Sequence, residues 1–310
     1  MGFVLTERDF DAYAQSKWKS NAFNRERLEV KEKLVAFGRR IAPSLTAGDG
    51  SPLDCEATAE HPALWNHKQV DAQRLRFARG HPTRAQLDAI LDRRRPLALT
   101  VADPAPGQAH AAMAVTIDFS HLSAAVTVHG DAAIDRDNLN RKLATTGARD
   151  ALASRCRDAG HLEIAAAGQA ARACESLTAA DWDALCDVLA RGDHHHTWLS
   201  IGRRWARAEA IALGDRTETE LSATLAALLP IYQLIAWTPQ NDHLDLAEVL
   251  RERATGKPPR DLVRGDRVRI TTGMFAGRPG LVVDISVKGA VKVLVGKIPI
   301  KIRIDEVEKT

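Results

Sequence analysis

A run of seven residues, Ala254-Thr255-Gly256-Lys257-Pro258-Pro259-Arg260, constrains this chain more than any other stretch. Its two adjacent prolines fix φ and remove two backbone donors, and the glycine ahead of them favours neither helix nor strand, so no regular element passes through. The hydrophobic pattern changes across it. Helical spacing with a few β-branched runs precedes it, and strict alternation follows it. The expectation is an α+β domain over residues 1–254, a linker over 255–260 and a small all-β domain over 261–310. A chain of 310 residues is long enough for such a division, since one domain typically takes about 100–200.

Within residues 1–254 the reading is mainly helical. Thr6 with Asp9 forms a capping-box start, and Leu28, Leu34, Phe37 and Ile41 keep an approximate helical spacing until Gly48, Gly50 and Pro52. A polar helix is expected from Asn66 to Arg79, and another from Thr83 to Arg94. Pro96 to Val101, Ala112 to Ile117 and Ala124 to Val128 read as strands, the last two joined as a hairpin through Asp118 to Ser123. Helix returns at Asp135, and Leu162 to Ala165 reads as a short strand. Thr178 with Asp181 opens a helix that stops at Gly192, and Trp198 to Ile201 reads as a strand. Thr217 with Glu220 is a second capping box, opening an apolar helix to Ile235 that Pro230 interrupts, with a last helix from Leu244 to Arg253. The fold class expected is α+β, with an antiparallel hairpin or small sheet among helices.

No stretch of about 18 apolar residues suits a membrane span, and Met1 to Phe10 is mixed in charge rather than a basic run followed by an apolar one. Cys55, Cys156, Cys174 and Cys186 lack C-x-x-C spacing, and three of them sit in apolar helical patterns, as reduced cysteine does. A reducing, bacterial-type cytoplasm is the expected compartment. The net charge of +3 is unevenly spread, because residues 261–310 hold ten basic and six acidic side chains and everything before them is left at −1. A polyanionic partner is expected to meet the C-terminal end.

That end alternates with period two. Val268 and Ile270 give one strand, Gly273 to Gly280 a glycine-rich turn over Phe275 in which positive φ is expected, and Leu281 to Ile285 the next strand. Val291 to Val295 and Ile298 to Ile304 follow, with isoleucine on one face and Lys301 and Arg303 on the other. Gly265-Asp266-x-Val268-x-Ile270 and Gly273-x-Phe275-x-Gly277-x-x-Gly280-x-Val282 together resemble the KOW motif of NusG-type transcription elongation factors and several ribosomal proteins. Val291 to Glu306, with Gly296 between two strands, also resembles the small barrel of a MutS-paralogue family. Both resemblances cover about a sixth of the chain. They imply a five-stranded SH3-like barrel, closed enough to need no exposed edge, that binds nucleic acid or a protein of the transcription or translation apparatus, and they imply no catalysis. Residues expected to make that contact are Arg267, Arg269, Met274, Phe275, Arg278, Lys292, Lys301 and Arg303. Charged strand positions are also what any solvated sheet face carries.

Three clusters in the longer part bear polar chemistry. Asp193-His194-His195-His196 brings imidazoles beside a carboxylate, yet consecutive histidines do not converge on one ion from a helix or a strand, so no metal is expected. His67, Asp71 and Arg74 would share one face of the helix expected from Asn66, as an anion-recognising trio or as a surface ion-pair ladder. Trp237 to His243 closes the long apolar helix, with Asp242 and His243 as binding residues or caps. Arg203, Arg204 and Arg207 around Trp205 form an anion patch or an exposed face. Phosphate-loop, dinucleotide, serine-elbow and zincin motifs are absent, and no cofactor is expected. The expected function is a non-catalytic accessory factor that docks through its C-terminal module. The alternatives are an enzyme whose site draws on His67, Asp71, His195, Asp242 and His243, and a structural protein whose barrel packs on its own first domain.

Overall fold

A computed structural model of the protein describes residues 3–63, 66–91, 108–191, 197–254, 262–285, 290–296 and 298–309. The chain forms two compact units, Met1–Leu244 and Asp245–Thr310. Its class is mixed α+β.

In the first unit α1 (Glu7–Asp11) and α2 (Asn24–Ile41) precede β1 (Leu53–Ala57), β2 (Ala72–Arg79), α3 (His81–Leu91) and the hairpin of β3 (Ala112–Asp118) and β4 (His121–His129). Helices α4 (Ala133–Leu143) and α5 (Thr146–Asp158) lead to β5 (Glu163–Ala166) and β6 (Arg172–Ala173). Then come α6 (Ala179–Arg191), β7 (Thr197–Ala206), α7 (Arg207–Leu213) and α8 (Thr217–Ile235). The seven strands form one sheet in the order β1-β2-β3-β4-β7-β5-β6, and each neighbouring pair is antiparallel.

Period two decides what each face of this sheet carries. Leu75, Val115 and Ala124 lie in one cross-strand row and Phe77, Met113, Val126 and Ile201 in the next, all fully buried. Burying each large aliphatic or aromatic side chain contributes about 1.5–3 kcal/mol. Helices α2 and α8 cover this face, and α2 comes so close that a Cβ on its Gly38 would collide with Cys55 and Leu75. The opposite face carries small and polar side chains, Thr116, Ser123, Thr127 and Ser200 among them, as antiparallel sheets with one core face do. All four cysteines are free and lie in this unit, with Cys156, Cys174 and Cys186 buried. A hydrogen bond with Cys174, together with burial, pushes the Cys156 thiol up, and burial raises Cys55 to about 11.

Several sequence expectations need correction. Residues 66–79 are not a helix: His67 and Lys68 sit in a turn with φ of 54° and 58°, and β2 takes over from Ala72. The apolar residues there recur at every second position, Leu75 and Phe77, and that period prevailed over the polar helical spacing around them. Leu28 points outward at 41% exposure and Val30 takes the core position instead. Thr217 is the first residue of α8 rather than its cap, and its hydroxyl donates to the Gly214 carbonyl. The helix runs unbroken past Pro230 because Leu228, Ile231 and Tyr232 on either side are locked in the core. The sheet has seven strands where a hairpin or small sheet was expected, and the short β1 and β6, which carry little periodicity of their own, are the strands that the sequence left out together with β2. The expected strand over Pro96 to Val101 and the linker at 255–260 lie outside the described residues.

The second unit holds α9 (Leu246–Ala254) and a five-stranded antiparallel sheet, β8 (Arg267–Ile270), β9 (Pro279–Ile285), β10 (Ala290–Val295), β11 (Ile298–Arg303) and β12 (Val307–Lys309). Its order is β11-β10-β9-β8-β12, so the last strand returns beside the first. A closed barrel is not what these pairings describe, since β11 and β12 are edges and no ladder joins them among the described residues. Val268, Val282, Val291, Val293 and Ile304 form a core of their own with Leu262. In the turn, Gly273 and Gly277 take positive φ, of 76° and 81°. Gly280 does not, and its lack of a side chain serves another end: a Cβ there would strike Val293 on the neighbouring strand.

Candidate functional site

Alternation along β8 buries Val268 and Ile270 and turns Arg267 and Arg269 outward. The same rule exposes Lys292 on β10 and Lys301 and Arg303 on β11. Register then arranges these side chains in rows. Asp284, Lys292 and Lys301 are direct cross-strand neighbours, and so are Glu308, Arg269 and Pro279. Lys292 thus has a carboxylate on one side and a like charge on the other, and like charges directly opposite destabilise a ladder. Arg278 is exposed in the turn. Arg303 is exposed beside Glu306, whose carboxylate accepts from the Arg303 backbone N–H at 2.9 Å. Near the other end Lys309 bonds Asp266 at 3.0 Å, and that carboxyl is held low by the Val263 N–H and by the lysine. Phe275 is half-buried, and the side chain of Met274 lies outside the described residues.

A third row was not anticipated as functional. Arg267, Leu281, Leu294 and Pro299 follow one another across four strands, and Leu281 is 42% exposed. Its sequence signal is the parity of β9, because a buried Val282 puts Leu281 on the outside.

The polar residues singled out in the first unit fall on separate elements. Asp71 pairs with Arg74 at 3.5 Å on the surface where β2 begins, while His67 stands in the preceding turn and not on a shared helical face. Asp242 accepts from the Trp237 indole N–H at 2.8 Å and from the Leu244 backbone at 2.9 Å, so it caps the loop after α8. His243 is exposed, and its backbone N–H donates to Asn138 at 2.7 Å. His195 and its neighbours lie outside the described residues. Arg207 turns from Trp205 to Glu7 and Asp11 of α1, leaving Arg203 stacked on the Trp205 ring at 4.8 Å.

The first unit also holds a buried charge pair that the sequence reading did not single out. Asp135 at the start of α4 and Arg79 at the end of β2 form an ion pair with almost no solvent exposure. Asp135 also accepts from the backbone N–H groups of Trp237 and Ala111, each at 2.7 Å, and Arg79 donates to the Trp237 carbonyl at 3.1 Å. This network joins the end of β2, the residue ahead of β3, the start of α4 and the segment that follows α8.

No protein-family model matches the chain, and no curated protein matches it. Among the described residues no helix is long and apolar enough to cross a membrane.

Proposed function

We propose that this protein is a non-catalytic accessory factor of transcription or translation, whose C-terminal five-stranded unit is a KOW-type module docking on nucleic acid. The observation that carries the reading is the outward face of that unit, where Lys292 and Lys301 stand directly opposite each other, both exposed, with Arg267 and Arg269 on the same side. A phosphate lying between two facing lysines removes their repulsion and gains charge-assisted hydrogen bonds. The return of β12 beside β8 and the positive φ at Gly273 and Gly277 also favour the KOW-type reading.

The test uses the full chain and a labelled RNA hairpin over a series of salt concentrations. Lys292→Gln with Lys301→Gln should weaken binding whatever the sequence, and flatten the slope of log affinity against log salt by roughly one unit per lost contact. An unchanged slope at unchanged melting temperature counts against it. A protein partner is favoured by a different observation, the exposed Leu281 in one row with Leu294 and Pro299. In that case Leu281→Ser, and not the glutamine pair, abolishes association.

A further inference from the structure

We propose that the first unit binds the phosphate monoester of a small, sugar-sized molecule in the cavity beside the end of β7. This cavity of about 530 Å³ lies between the start of β5, the Arg203–Trp205 stretch of β7, and α7 and α8. That volume falls in the range of about 300–1,000 Å³ typical of small-ligand sites and exceeds what a bare phosphate fills. Among the described residues β5 pairs with β7 from Leu199 to Gly202, and the ladder stops where the arginines begin.

The chemistry of the lining is unbalanced in one respect. Three arginines, Arg203, Arg204 and Arg216, line it together with three carboxylates, so its formal charge cancels. The carboxylates are already engaged: Glu220 accepts from Arg203 at 3.2 Å, Glu163 from Arg204 at 3.4 Å, and Glu209 from the Ala206 backbone at 2.9 Å. The donors are not. Each of those two arginines spends one N–H of its five on a side chain, and Arg216 has no side-chain partner among the described residues. The indole N–H of Trp205, a residue only 4% exposed, also has no acceptor among the described residues, and a buried donor left unmade costs about 1–3 kcal/mol. A cavity with surplus donors, forked guanidiniums and spent acceptors suits a tetrahedral oxyanion, which accepts from several arginines at once. The space beyond it leaves room for the organic part.

The probe is ribose 5-phosphate added to the full chain at constant ionic strength, read by tryptophan fluorescence. Of the six tryptophans, Trp205 is the one in this cavity, so Trp205→Phe should remove the signal change. Saturable binding is expected, absent with ribose and weaker with inorganic phosphate. Arg203→Gln and Arg216→Gln should each weaken it roughly tenfold. Glu220→Gln, which frees Arg203 and leaves the cavity one charge more positive, should strengthen it, and this variant keeps the test open if the arginine variants fold poorly. The assignment is overturned by no saturation up to about 10 mM, by inorganic phosphate binding as tightly as the ester, or by glutamine variants that bind like the parent. The docking face lies in the other unit, so neither result decides the other.

Discussion

Asp135 shows how a single carboxylate holds elements far apart in sequence. Its oxygens take one guanidinium and two backbone N–H groups, and the nearby Tyr232 hydroxyl is raised to about 12, chiefly by burial, with Arg79 lowering and Asp135 raising it. Replacing one member of a buried pair leaves the other charge without compensation, at a cost of about 3–5 kcal/mol. Asp135→Asn also sets an amide donor against the N–H of Ala111 or Trp237. A chemical-denaturation midpoint is therefore expected to fall sharply, and a variant as stable as the parent would show that the pair is not needed. Nothing in the sequence announced this partnership, because Arg79 and Asp135 are 56 positions apart and each reads alone as an ordinary surface charge.

At the scale of elements, α2 is tied to the segment after β1 by Lys31, whose ammonium bonds Glu60 at 2.7 Å. That bond is the main reason the Glu60 carboxyl drops from 4.5 to about 2. A carboxyl depressed in the folded state contributes stability that is fully present above its unfolded value and is lost as pH falls through the folded one. Thermal melts should thus separate the parent from Lys31→Met at pH 7, and the gap should close between about pH 4.5 and pH 2. A gap independent of pH would assign the effect to packing of the lysine stem. The elements themselves were unevenly legible. The β3–β4 hairpin, α4, α6 and the strands after Gly265 were plain from period and turn residues. β2 was not, because Arg74 and Arg76 between its apolar positions imitate a polar helix face. Part of the site was legible too, since parity alone placed Arg267, Arg269, Lys292 and Lys301 on one side. The Leu281–Leu294–Pro299 row needed the register, which only pairing partners reveal.

For the whole molecule, the decisive fact is that among the described residues the core that ends with Ala236 and the core that begins with Leu262 share no member. A chain ended after Ala254 should keep a cooperative calorimetric transition for the first unit, and its loss would mean that the second unit is needed for folding. The excess positive charge leaves with the removed part, so the shortened chain should also lose salt-dependent association with RNA. The distribution of sulfur adds something practical. Since every cysteine lies in the first unit and three are buried, a thiol reagent reacts with those three only when that unit opens. Labelling rates therefore clock the opening of the larger unit in the intact chain and stay silent about the smaller one.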